Sequence, residues 1–292
     1  MDVVVQILAS GLTLGAMYAI STIGLALVYG SLNMLNMAHG ALLAFGGYVC
    51  LFAMTALGFP AVLALVAAMA VCGLIGLLIY HLAARPMLAS RNFETQIFIA
   101  TIGIGAMLEN VILRIFGPQP TAQPLNLSGA LVIGTVHIPH QNILILAVAI
   151  TMMVAVALLL NRTRVGRAIR AAAQNRDAAQ LMGIRIGRVY AQVLALSGAL
   201  AAVSGIMVSS LSGLLPNMGG DPMLKAFVIC VVAGLGNVYG AVAAAIVLGL
   251  LEALIQYVLG VQYSFAILLV IVIAVLIWRP AGLFGRQQVV RL

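Results

Sequence analysis

From Ile143 to Leu160 the chain carries no charged residue, and it is apolar on every face of whatever it folds into. Runs of this kind recur along its whole length, and no other feature constrains the fold so strongly. A bilayer core about 30 Å thick needs about 20 apolar residues at helical rise. The composition supports a lipid environment. Of 292 residues, 64% are hydrophobic and 7% charged, and the mean hydropathy is +1.20. A water-soluble chain of this size could not cover its surface with so few charges. A spanning β-barrel requires strict alternation, which is missing here. Helices satisfy their backbone polar groups within each segment, so the expectation is an all-α, polytopic transmembrane bundle.

Apolar segments lie at about 3–29, 40–57, 60–82, 95–116, 142–160, 189–211, 224–259 and 264–278. The 224–259 stretch is too long for one straight span. Gly234-Leu235-Gly236 near its centre reads as a break, which makes it two passes or a bent, re-entrant one. The count is therefore about 8–9 spans in a single domain over 1–292. The N-terminus lacks a basic leader region, and its apolar run is too long for a signal core, so a retained first span is expected.

Polar segments set the orientation. His81 to Thr95 carries Arg85, Arg91 and Glu94. Asn161 to Arg188 carries Arg162, Arg164, Arg167, Arg170, Arg176, Arg185 and Arg188, and the tail adds Arg279, Arg286 and Arg291. Gly117 to Asn142 is proline-rich and has no Lys, Arg, Asp or Glu. By the positive-inside rule the basic segments are cytoplasmic and the loop at about 117–141 is external. Arg114 and Lys225 are left near the outer boundary. The N-terminus is then outside and the C-terminus inside, which requires an odd number of passes, nine. Arginines beside anionic headgroups account for the net charge of +8, so nucleic acid is not an expected partner.

The loop at about 161–188 is long, basic and helix-prone. Asn175 or Asp177 is placed to cap a short helix running to Met182, with Gly183 as a left-handed terminator. Leu181, Met182 and Ile184 would then be presented outward. By its own physics such a helix could simply rest on headgroups. The spacing Asp177-Ala178-Ala179, then Gly183, resembles the Glu-Ala-Ala-x-x-x-Gly element that ABC permeases insert into their ATPase subunits, with Asp in place of Glu.

Further stretches sharpen the resemblance. Gly11-Leu12-Thr13-Leu14-Gly15-Ala16-Met17-Tyr18-Ala19-Ile20 is followed by Gly24-Leu25-Ala26-Leu27-Val28-Tyr29-Gly30 and Asn36-Met37-Ala38-His39-Gly40. Lys225-Ala226-Phe227 leads to Gly234-Leu235-Gly236, and the tail reads Arg279-Pro280-Ala281-Gly282-Leu283-Phe284-Gly285. In this order they resemble the permease subunits of branched-chain amino-acid ABC importers, most closely the smaller of the two homologous membrane subunits. The resemblance implies a second permease, two ATPase subunits and a periplasmic substrate-binding protein as partners, and the bacterial inner membrane as location. It also implies a small-molecule substrate passing between the permeases, with ATP and Mg bound by the ATPases and no cofactor on this chain. Gly166, Arg167, Arg170, Asp177, Ala178, Ala179 and Gly183 would form the coupling loop. The chain has no phosphate-binding Gly-x-x-x-x-Gly-Lys-Ser/Thr motif and is not expected to be an enzyme.

Asn36, His39 and Gly40 read either as a self-bonded turn at the bilayer edge or as a break lining a translocation path, as do Gly234 and Gly236. The intramembrane acids are Glu109 and Glu252. Glu109 stands beside Asn110 with Arg114 about one turn on, suggesting a local polar cluster. Glu252 suits a helix-to-helix hydrogen bond. His137 and His140 lack a third ligand, so no metal is expected. An ion-coupled secondary carrier would need more titratable groups at mid-membrane, and a membrane enzyme would need a nucleophile or metal cluster. Urea, amides, sugars and nucleosides remain alternative substrates within the superfamily.

Overall fold

The computed structural model describes residues 2–88, 90, 92–133 and 136–285. Arg91, Arg286 and Arg291 of the basic segments lie outside them. Twelve α-helices are found among the described residues: α1 (Asp2–Leu32), α2 (His39–Thr55), α3 (Ala61–Ile79), α4 (Arg85–Met87), α5 (Phe93–Phe116), α6 (His140–Arg162), α7 (Arg164–Gln174), α8 (Arg176–Leu181), α9 (Ile186–Ser212), α10 (Gly220–Ala233), α11 (Val238–Leu259) and α12 (Val261–Trp278). Among the described residues, seven stretches are long and apolar enough to cross a membrane: Val3–Leu32, Ala61–Met87, Phe93–Phe116, His140–Arg162, Ile186–Ser212, Val238–Leu259 and Val261–Trp278. Helices α2, with 17 residues, and α10, with 14, are shorter.

The Ala61–Met87 span continues past the end of α3. A π-helical turn, Tyr80–Ala84, joins α3 to α4 directly before Pro86, whose missing N–H and bulky ring bar a regular helical turn. The proline-rich loop is not wholly irregular. Strands β1 (Ala130–Ile133) and β2 (Val136–Pro139) pair antiparallel, with Leu131 opposite Ile138 and Val132 opposite His137. Four of the eight residues are valine or isoleucine, which favour a ladder, so the hairpin forms despite the prolines nearby.

The 224–259 stretch breaks as its glycines suggest. Helix α10 ends at Ala233, and Gly234 and Gly236 take φ of 95° and 86°, which other L-residues avoid. Asn237 then caps α11, its side chain accepting from Gly240 N–H at 3.0 Å.

Helix α9 is the axle of the bundle, with most of its residues buried against α1, α2 and α3. Lipid supplies no hydrophobic drive between helices, so close backbone approach has to hold them together. Gly205 of α9 faces the Leu43 backbone and Gly198 faces Cys72, with no room for a Cβ on either. Helices α1 and α11 run antiparallel in the same manner. A Cβ on Gly15 would lie 2.8 Å from Ile246 Cα, while Gly30 meets Gly236 further along. The outer faces carry exposed Leu74, Ile99, Met107, Leu158 and Val270, a continuous apolar coat that only lipid or a partner tolerates.

The bundle has two distinct ends. At one, Asn33 donates to Glu94 at 2.9 Å, Asn161 donates to Tyr239 Oη at 2.7 Å, and the tail segment Leu283–Phe284 bonds the last carbonyls of α10. The described arginines of all three basic segments gather here. At the other, Thr121 and Leu214 exchange backbone hydrogen bonds of 3.0 and 2.8 Å, and Gln141 donates to Ser210 Oγ at 2.6 Å.

Candidate functional site

At the arginine-rich end, Thr163 caps α7 by accepting from Gly166 N–H at 3.0 Å. Gly166, Ile169 and Ala172 recur every three residues and are buried on one face, while Arg164 and Arg167 stand exposed on the other. Gly166 sits against the carbonyls of Leu159 and Leu160, where a side chain cannot fit. Arg170 turns inward, donating to the Leu160 carbonyl and, at 2.8 Å, to Asn161 Oδ1. It thereby satisfies a carbonyl that the end of α6 leaves open. Asn161 in turn bonds Tyr239 of α11, so the loop is tied to two spans.

Asn175, not Asp177, caps α8, accepting from Ala178 N–H at 3.0 Å. Asp177 lies exposed in the first turn, where its charge complements the helix dipole. Ala179 is the buried foot of the helix, and Ala178 is exposed. Gly183, with φ of 81°, reverses the chain while Ile184 N–H bonds the Ala179 carbonyl at 3.1 Å. The Arg176 guanidinium lies 5.8 Å from the Tyr190 ring centre and pins α8 to α9. The result is a short, doubly capped knob whose tip, Leu181 and Met182, is 88% and 83% exposed.

His39 is not at a span edge. It is fully buried, 3.4 Å from both Ser21 Oγ and Ser197 Oγ, well inside α1 and α9. Residues 33–38 enter the bundle, with Asn36 Oδ1 accepting from Ala38 N–H at 3.2 Å and Thr101 Oγ1 accepting from Met37 N–H at 3.0 Å. The inward path is possible because these side chains supply partners for backbone that lacks helical ones. Gly40 packs on the Gly219 backbone, and Gly24 leaves room for the His39 ring. Gly234 and Gly236 sit at the arginine-rich end, packed on Gly285 and Gly30, and the tail caps them: Leu283 N–H bonds Val232 carbonyl at 2.7 Å.

Glu252 is buried to 1% side-chain exposure and forms an ion pair of 2.6 Å with Lys225, whose side chain is 19% exposed. Tyr18 Oη donates to Glu252 Oε2 at 2.8 Å and accepts from Lys225 at 2.9 Å, while Gln256 donates to Glu252 Oε1 at 3.2 Å. Sequence reasoning placed Lys225 at the outer boundary and did not single out Tyr18. Both lie in stretches it had noted, but on α10 and α1, far from Glu252 along the chain. Glu109 forms no ion pair with Arg114: Lys225–Glu252 is the one ion pair among the described residues. Arg114 is five positions on, which turns it about 140° around the helix from Glu109. Glu109 instead lines an open groove with Asn110 and Asn217. Among the described residues no group of three His, Cys, Asp or Glu could hold a metal.

The family described as branched-chain amino acid transport system / permease component matches residues 7–276. The chain is 32% identical to the high-affinity branched-chain amino acid transport system permease protein BraD of Pseudomonas aeruginosa, covering 97% of this chain and 96% of the relative. It is equally similar to the permease protein LivH of Escherichia coli K12, with the same coverage. A probable LivH of Methanocaldococcus jannaschii is 30% identical over 96% of this chain and 92% of its own. Among solved structures, a chain of PsaBC from Streptococcus pneumoniae shares the fold with a TM-score of 0.52 at 14% identity, covering 97% of this chain and 92% of that one. The seven apolar helices and these near full-length likenesses converge: the chain is a multi-pass membrane protein and belongs to the family of branched-chain amino acid transport system permease components.

Proposed function

We propose that this chain is a membrane subunit of an ATP-driven importer for branched-chain or other hydrophobic amino acids, and that it forms part of the translocation path in the bacterial inner membrane. Near full-length similarity to BraD and LivH carries this reading. The chain acts as one permease domain beside a second, related permease. Two ATPase subunits hold ATP and Mg, and a periplasmic protein delivers the substrate. Asp177, Ala178 and Gly183 belong to the knob that seats on an ATPase, Arg167 stands exposed on the adjoining α7, and Gly166, Arg170 and Ala179 hold this loop to the bundle.

Adding α2 and α10 to the seven long helices gives nine passes. By the positive-inside rule, the gathering of the basic segments at one end supports a cytoplasmic place for that end and an external N-terminus. Maleimide should therefore label Thr121→Cys in intact cells from the outside. Labelling only after the inner face is opened would invert the topology. For the function itself, the tagged chain is purified gently from its native membrane and its companions are identified by mass. A second permease and two ATPases are expected, with ATP-dependent leucine uptake by the reconstituted complex. A chain that comes out alone would overturn the importer reading.

A further inference from the structure

Beside the Lys225–Glu252 pair, on the side away from the arginine-rich end, lies a cavity of about 300 Å³ between α1, α9 and α10. That is the lower end of the size range of small-molecule sites, about 300–1,000 Å³. Lys225 and Asp221 both line it and stand four residues apart on α10, so they share one helix face. The Lys225 ammonium has three hydrogens to donate and spends two, on Glu252 and on Tyr18 Oη. The Asp221 carboxylate makes no hydrogen bond or ion pair with the described residues and is exposed. Met17, Val208 and Met218 supply apolar walls.

We propose that this cavity holds the head group of an α-amino acid during passage, an inference that rests on the transport reading above. The spare Lys225 hydrogen meets the substrate carboxylate, Asp221 meets its ammonium, and the apolar walls take its aliphatic side chain. Charge selects the zwitterion. A bare carboxylate would face Asp221 and Glu252 with one cation between them, already shared. A bare amine would leave the third Lys225 hydrogen unanswered. Glu252 is a positioning residue here: its ion pair aims the Lys225 ammonium, while it is itself too buried to meet the substrate.

The three native cysteines, Cys50, Cys72 and Cys230, are all buried, so an added one can be followed by maleimide. Ser212 is exposed on the cavity wall and suits Ser212→Cys. In the purified complex, L-leucine at ten times its dissociation constant should slow alkylation about tenfold by mass action. At the same concentration, 4-methylpentanoate and 3-methylbutylamine should leave the rate unchanged. Asp221→Asn and Lys225→Gln should each abolish the leucine effect, and Lys225→Arg should retain part of it. Protection by the amine equal to that by leucine overturns the proposal, and so does leucine uptake by the complex without any protection; the latter leaves the transport reading standing. Absence of both uptake and protection overturns the two together.

Discussion

Glu252→Ala is expected to destabilise the folded protein by about 3 kcal/mol, the cost of leaving one member of a buried pair uncompensated. The Lys225 ammonium, with a side chain only 19% exposed, would keep Tyr18 as its remaining partner. Adding Lys225→Met to Glu252→Ala should restore part of the loss, because no unpaired charge is then left buried, although the shortened side chain at 252 still leaves a void. Thermal unfolding of the wild type, both single variants and the double variant in the same detergent completes the cycle. Additive single and double effects would mean that the two side chains do not interact, and would remove the clamp between α10 and α11. The cycle bears on the cavity as well, since Glu252 aims the Lys225 ammonium that would meet a substrate.

Leu181→Asp together with Met182→Asp should lower leucine-stimulated ATP hydrolysis of the complex at least about tenfold while leaving thermal stability of the isolated chain unchanged. Both side chains are almost fully exposed and touch little of their own fold, so nothing internal is lost. Anchors buried at the centre of an interface are each worth about 2 kcal/mol or more, and about 1.4 kcal/mol corresponds to tenfold in binding. Arg170→Ala offers the contrasting case. It opens the Leu160 carbonyl and frees Asn161, so stability and coupling should fall together. Undiminished ATP hydrolysis in the double aspartate variant would take the coupling role away from α8.

Much of the loop was readable because its signals are local. An Asn three residues ahead of the N–H it accepts, a buried alanine foot and a left-handed glycine all act within one or two turns of chain. Helix existence was readable for a similar reason: a bilayer demands an apolar run of fixed length, and no distant residue can relieve that demand. The break at Gly234 and Gly236 belongs to the same class, since an overlong run and two glycines are adjacent features. Glu109 and Arg114 show the limit of local spacing, because five positions along the chain are about 140° apart around the helix.

The sequence by itself determined a multi-pass helical membrane protein, the capped knob at α8 and the gathering of arginines on one side, since each depends on chain-local preference or on the solvent. Only the tertiary structure decided that His39 is sealed between Ser21 and Ser197, and that Tyr18, Lys225 and Glu252 meet. Those contacts join α1, α2, α9, α10 and α11, and no periodicity along the chain encodes them. They are set by which small residues let which helices approach, with Gly15 against Ile246 and Gly205 against Leu43, and by the cost of burying a charge without a partner.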